Sequence, residues 1–327
     1  MSPSPYHQAL ATALLAATAV LLAGCSDGGG NGGGNGKGGA EPALGPVATN
    51  PATSSISLPM DAYTDSDAEV RKMDAVQARL TEQCMARYGF TYEAPAKRPA
   101  AGGAAEGDRH RDLFGEADPE HAAAYGYDGD SGVPRPPKPA PPQLSESASA
   151  VLFGTRPGES APAGPDPLSQ EEADEADSGV EIGGQKVPAG GCLREGYRKL
   201  YAPAKGSVDL LFSFGLASQA HSRAQEDSRV VAALRGWSDC MGKGGYGGVA
   251  TPYEVIEKLG LEEDKGGAKA IAVATQDVTC KREVNLVGIW AAAEAAYQQQ
   301  LVEEHAETLA QYKKQRDARF KLAASLV

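Results

Sequence analysis

The sequence predicts a mainly α protein: a disulfide-stapled helical bundle built from two duplicated helical hairpins, with long disordered segments. Three observations carry this reading. A cysteine-centred motif is written twice. Between the low-complexity stretches, apolar residues recur at three- and four-residue spacing, the period of an amphipathic helix. Composition sets the scale: 40 glycines and 22 prolines, with only 6% aromatic residues in 327, leave too little apolar bulk for two full-sized domains. One modest helical domain with unstructured chain around it is expected.

Residues 1–24 read as a signal peptide. Residues 9–23 are all apolar or small, a run too short to span a bilayer and suited to a signal-peptide core. The run ends in Leu22-Ala23-Gly24-Cys25. That ending resembles the lipobox of bacterial lipoproteins, in which the chain is cut before a cysteine that carries a diacylglyceryl group. The resemblance implies that Cys25 is the lipidated first residue of the mature chain, held at the outer face of the cell membrane. It departs from the usual pattern in one respect: His7 is the one basic side chain ahead of the apolar run. Residues 25–58 then read as a tether, opened by SDGGGNGGGNGKGG. At roughly 5–6 Å × √n, such a chain would reach on the order of 30 Å.

The formal charge is −12, and residues 1–24 contain none of the Asp, Glu, Lys or Arg that set it. A mature chain that acidic lacks the basic footprint of a nucleic-acid binder. It is equally unsuited to broad electrostatic docking on anionic lipid.

The first half of the helical domain is expected over 59–127. Val70, Met73, Val76, Leu80 and Cys84 lie at helical spacing, and Gly89 reads as the stop. Asp118 followed by Pro119 predicts a second, short helix ending at Gly126. Residues 128–180 read as a Pro/Gly/acidic low-complexity insert, extended and largely disordered, with one helical turn near 171–177. The second part, 181–327, starts with a hairpin around Gly183-Gly184, and 191–201 reads as a helix broken at Pro203. Helices are expected over 207–221 and 224–241, and Thr251-Pro252-Tyr253-Glu254 reads as a capping box that starts another. Residues 268–320 hold no proline and one glycine, so a long helix is expected there, bent near Gly288.

The repeated motif organises these pieces. Cys84-Met85 is followed by Gly89-Phe90, and Cys240-Met241 by Gly245-Tyr246. Each is followed in turn by Cys-x-Arg-Glu, at Cys192 to Glu195 and at Cys280 to Glu283. Each half therefore reads as a helix ending in Cys-Met, a connection, and a helix beginning near the next cysteine. With Cys25 lipidated, four cysteines remain, and an even count in an exported chain implies two disulfides. Three pairings are formally possible. The repeat selects Cys84–Cys192 and Cys240–Cys280, each stapling its own hairpin. A zinc site would want close cysteine pairs, and the sequence has none.

No catalytic constellation stands out. Residues 211–215 lack the first glycine of a nucleophile elbow. Residues 242–248 are glycine-rich but follow a helix, and no Lys-Ser/Thr ends them. Residues 128–132 lack the ligand ladder of a calcium loop. His110, His121, His221 and His305 are isolated in sequence. No cofactor or metal is expected. Trp237 and Trp290 read as core packing around a disulfide.

The segments RYGF, DPEHAAAYGY, VPAGGCLREGYRKL, ALRGWSDCM and VATQDVTCKREVNLVGIWAAAEAAYQ resemble a group of uncharacterised secreted or lipid-anchored proteins of actinobacteria. The resemblance covers residues 60–310 outside the insert. It implies bacterial export and supplies no mechanism.

The function expected from these readings is a non-catalytic, lipid-anchored extracytoplasmic module that binds another cell-envelope component, a protein in the first instance. The alternative is an extracytoplasmic hydrolase of unrecognised type. One candidate contact is the basic end of the chain, where Lys313, Lys314, Arg316, Arg319 and Phe320 follow an acidic stretch. Its cations complement the helix dipole on the plain reading; a second structural reading pairs it with the acidic start of the first helix, residues 61–69, and the functional reading has it project to an acidic partner or the membrane surface.

Overall fold

The computed structural model describes residues 40–95, 108–128 and 143–326. The chain divides into two units, Met1–Ala40 and Glu41–Val327, and the described residues belong almost wholly to the second. Twelve α-helices, short 3-10 helices at Thr53–Ser55, Pro59–Tyr63 and Pro252–Glu254, and one two-stranded hairpin make up the regular structure of these residues.

Helix α1, Asp67–Arg87, starts on a capping box: Glu69 N donates to the Ser66 hydroxyl, and the Glu69 carboxylate accepts from Ser66 N. Its buried stripe is Met73, Val76, Leu80, Cys84 and Met85. Two short helices follow, α2 (Arg111–Phe114) and α3 (Pro119–Tyr125), the latter capped by Asp118. Next come α4 (Glu146–Phe153) and α5 (Gln170–Glu175), both opened by serine caps. In the hairpin, Glu181 pairs with Lys186 and Ile182 with Gln185. Helix α6 is Gly191–Tyr201. The remaining helices are α7 (Phe212–Glu226), α8 (Ser228–Lys243), α9 (Val255–Lys258), α10 (Ala268–Glu283), α11 (Leu286–Glu304) and α12 (Ala306–Leu326).

The doubled motif is a doubled helix ending. Phe90 N donates to Met85 O at 3.2 Å and Gly89 N to Ala86 O at 3.0 Å. Tyr246 N donates to Met241 O at 2.9 Å and Gly245 N to Gly242 O at 3.1 Å. Both sets form the Schellman arrangement, with the glycine at φ +77° and +90° respectively. The aromatic then folds back onto the core containing its own Cys-Met pair. The halves differ at the second cysteine. Cys192 lies in the first turn of α6, as the repeat implies, whereas Cys280 lies in the last turn of α10. The second staple therefore closes a helix ending and does not open a helix.

The largest apolar core lies among α7, α8, α10 and α11, centred on Trp237, Met241, Leu286, Trp290 and Leu301. A smaller one surrounds Cys84 and Cys192, walled by Val151 and Leu152 of α4 and by Val180 and Val187 beside the hairpin. A third joins Met73, Val76 and Leu80 of α1 to Leu200 and to Ala323 of α12.

Four expectations need correction. The tether does not extend to residue 58. Thr53 and Leu58 are buried, and the segment is tied to Asn285, whose Oδ1 accepts from Asn50 N at 2.7 Å and whose Nδ2 donates to Ala48 O at 3.0 Å. The low-complexity insert is not disordered from 143 to 180. Ala148, Ala150, Val151 and Leu152 of α4 are buried, and Ala148, Val151 and Leu152 complete the smaller core. Residues 129–142 lie outside the described residues. The long final helix is three helices, broken at Asn285 (φ +52°) and at His305. Gly288 causes no bend; a Cβ there would lie 2.0 Å from Ala48 O, so glycine lets the N-terminal segment pass. Finally, Thr251 makes no side-chain cap. Residues 252–254 form a 3-10 turn leading into α9, and Glu254 accepts from Ala250 N.

Candidate functional site

Cys25 lies outside the described residues. The other four cysteines form the two expected bridges, Cys84–Cys192 and Cys240–Cys280, each with its Cα atoms 5.5 Å apart. In both halves the glutamate of Cys-x-Arg-Glu sits with its carboxylate 3.4 Å from the first cysteine's sulfur. Two bridges point to an oxidising, extracytoplasmic compartment. Among the described residues no helix is long and apolar enough to cross a membrane.

The basic end of the chain does not project from the body. Arg316 Nε and Arg319 Nη2 each donate to Asp65 at 2.5 Å, and Arg316 also reaches Glu69 at 3.1 Å. The Arg319 guanidinium lies 4.9 Å above the Tyr201 ring, and Phe320 packs against the α1–α6–α12 core. Lys313 and Lys314 remain at the surface. The basic residues of α12 thus meet the acidic start of α1, as the pairing reading expects.

Two polar networks inside the body join residues far apart in the sequence. Asp277 is fully buried on α10. It accepts from Trp237 Nε1 at 2.8 Å, Tyr127 Oη at 3.0 Å and Lys281 Nζ at 3.1 Å, and Lys281 also donates to Glu116 O at 2.6 Å. Burial raises the Asp277 carboxyl above the usual aspartate range, against the pull of Lys281 and of the Trp237 and Tyr127 donors. Burial likewise raises the Tyr127 phenol, helped by the Asp277 charge. Glu116 itself holds Arg111 at 2.5 Å and His121 at 2.8 Å.

A second network runs from the core to the surface. Buried Glu294 of α11 faces His221 Nδ1 of α7 at 3.0 Å. His221 Nε2 lies 2.9 Å from Gln225 Nε2 and 3.1 Å from Tyr253 Oη, and the Tyr253 hydroxyl donates to Leu113 O. The His221 ring stacks on Trp290 at 5.6 Å. Gln298 extends the chain inward, donating to Glu294 and accepting from Met60 N at 2.9 Å. The i, i+4 and i+7 positions of α7 place Phe214, Ser218 and His221 on one stripe. On that side Leu211 is 66% exposed, Phe214 70% and Tyr253 45%. Between Asp209 and Arg223 there is no Asp, Glu, Lys or Arg.

One shallow groove of about 350 Å³ runs along α1, lined by Ala75, Ala78, Thr81, Tyr92 and Leu193 among others. Its polar lining is Arg71, Asp74, Gln77, Thr81 and Tyr92, and no histidine or cysteine is among its lining residues. Among the described residues there is no group of three His, Cys, Asp or Glu placed to hold a metal ion.

Glu195, buried beside the first disulfide, gives a pH-dependent expectation. Burial pushes its carboxyl up, but ion pairs with Arg87 and Lys199 outweigh this and hold it below the usual glutamate range. A carboxylate with a depressed folded pKa adds stability above its unfolded pKa, about 4.3, and loses it as pH falls through the folded value. Glu195→Gln is therefore expected to lower the denaturation midpoint at pH 7. The gap to wild type should close as the pH falls below about 4. Urea titrations of both proteins across that range check it; a gap constant with pH contradicts the assignment.

Compared with protein-family models, with curated proteins and with solved structures, the chain shows no significant match to any.

Proposed function

We propose that this protein is a lipid-anchored extracytoplasmic module that acts by binding another component of the cell envelope and not by catalysis. The lipobox at Cys25 and the Gly-rich chain after it support the anchor. The observation that carries the binding role is the use made of buried ionisable groups. Among the described residues the buried carboxylates are Glu116, Glu195, Asp227, Asp277 and Glu294. Each is bonded to a partner that ties one segment to another or caps a helix: Arg111 and His121, Arg87 and Lys199, Arg229 and Tyr297, Lys281 and Trp237, His221 and Gln298. Chemistry that could activate a substrate is committed to holding a rigid body together. An envelope protein is the partner class this reading favours.

The hydrolase alternative has one feature in its favour, the row Glu294–His221–Tyr253 reaching the surface. The Tyr253 hydroxyl, however, is given to Leu113 O, and burial raises its pKa to about 12, which opposes a nucleophilic role.

Anchoring is tested by Cys25→Ala. The variant is expected to leave the membrane fraction for the medium, or to remain as the longer unprocessed chain. Unchanged fractionation with unchanged electrophoretic mobility would rule the anchor out.

A further inference from the structure

We propose that the Cys240–Cys280 bridge is a site of thiol–disulfide exchange, at which the thiolate of an envelope dithiol attacks Cys240 Sγ and Cys280 leaves. This goes beyond the binding role and depends on neither the anchor nor the partner named there.

The two bridges differ in which sulfur can be attacked. A sulfur that accepts a hydrogen bond is the better leaving group, because the bond favours its thiolate. In the first bridge that sulfur belongs to Cys84, 3.0 Å from Arg87 Nη2. Attack must then fall on Cys192, which is 0% exposed. In the second bridge the donor is Gln276 Nε2, 3.1 Å from Cys280 Sγ and 3.8 Å from Cys240 Sγ. Attack must then fall on Cys240, at 9% the most exposed of the four bridged cysteines. Helix dipoles do not reverse this choice. Cys240 and Cys280 each stand three residues before the last residue of their helix, so α8 and α10 oppose a thiolate equally.

The glycine-rich stretch after Cys240 finds a use here. Residues 242–245 are exposed, and a Cβ at Gly242 would meet nothing within 4 Å, so the approach is open. At Gly244 a Cβ would lie 2.7 Å from Gln276 Cδ, so glycine makes room for the amide that reaches the sulfurs. Glu283 sets an exposed carboxylate 3.4 Å from Cys240 Sγ, which repels an anionic attacker and favours a cationic one. The body does not need the closed bridge. Trp237 Nε1 of α8 donates to Asp277 of α10 at 2.8 Å, and the large core contains apolar residues of both helices.

The exchange balances. The incoming thiolate bonds to Cys240 Sγ as the Cys240–Cys280 bond breaks, and the electron pair leaves on Cys280. The second thiol of the reductant then attacks its own sulfur in the mixed disulfide, and Cys240 leaves. The dithiol loses two electrons and becomes a disulfide; the protein gains two thiols, whose protons come from the dithiol by way of solvent.

The full chain, under native conditions, is treated with dithiothreitol, quenched at intervals with iodoacetamide and mapped by mass spectrometry. Cys240 and Cys280 should be alkylated at least about ten times faster than Cys84 and Cys192, with near-ultraviolet circular dichroism retained. With glutathione in its place, the first adduct should form on Cys240 while Cys280 is alkylated. Gln276→Leu should slow the opening several-fold at an unchanged melting temperature. Glu283→Gln should speed attack by anionic glutathione more than attack by cationic cysteamine. Bridges that open together, or a second bridge that opens only in step with unfolding as urea is added, would overturn the proposal. So would a first adduct on Cys280, or an opening rate indifferent to both substitutions.

Discussion

Removing the Cys84–Cys192 bridge, by Cys84→Ala with Cys192→Ala, is expected to lower stability by several kcal/mol and to melt the α1–α4–α6 region first. The bridge closes 108 residues, for which the chain-entropy model gives about 5 kcal/mol. In a body of this size that corresponds to a melting temperature lower by roughly 10–20 °C. The second bridge closes 40 residues, worth about 4 kcal/mol on the same model. Their surroundings widen the difference. Cys280 sits in the large core with Trp237 and Trp290, which persists without a covalent link. Cys84 and Cys192 are themselves the centre of a small core, walled by short elements such as α4 and the hairpin. Limited proteolysis of the double variant should therefore cut first between 143 and 190. Equal melting temperatures for the variant and the wild type would contradict this account.

The second large effect is expected at Lys281. Lys281→Met leaves the Asp277 carboxylate fully buried with its cation gone, a loss that costs on the order of 3–5 kcal/mol. Its ammonium also satisfies Glu116 O, so the 108–128 segment should loosen from α10 at the same time. Adding Asp277→Asn to Lys281→Met should restore part of the loss, because an amide has no charge to strand; its oxygen still accepts from Trp237, and its nitrogen can donate to the Tyr127 hydroxyl. Denaturant midpoints of the two single variants and the double variant decide it. Strict additivity would mean that the pair acts as two unrelated side chains.

Local chemistry was readable where it is self-contained. The Asp118-Pro119 start, the Gly183-Gly184 turn and the two Gly-aromatic endings each depend on residues within six positions of one another. The disulfide pairing was readable because the repeat supplied a long-range rule. What failed depends on distant partners. Residues 40–58 are fixed by the side chain of Asn285 and by the room at Gly288, more than two hundred positions away. Asn285 also breaks the final helix by taking a left-handed conformation, rare outside glycine and without a local signal here. Helix α4 was hidden by averaging: Pro- and Ser-rich flanks masked the short apolar run from Ala150 to Phe153. The polar networks were invisible because Glu294 and His221 are 73 positions apart, as Tyr127 and Asp277 are 150. One signal was available: Asp277 and Lys281 stand four apart in α10, with Val273, Ala274 and Val278 around them.

The central claim is an exported chain, anchored at Cys25 and closed by two bridges within its own halves. Non-reducing peptide mapping by mass spectrometry of protein extracted from the membrane tests it most directly. The account predicts an N-terminal peptide that begins at Cys25 and carries a diacylglyceryl group, with bridges Cys84–Cys192 and Cys240–Cys280. An unmodified N-terminal peptide containing residues 1–24, or Cys84 joined to Cys240, would contradict it.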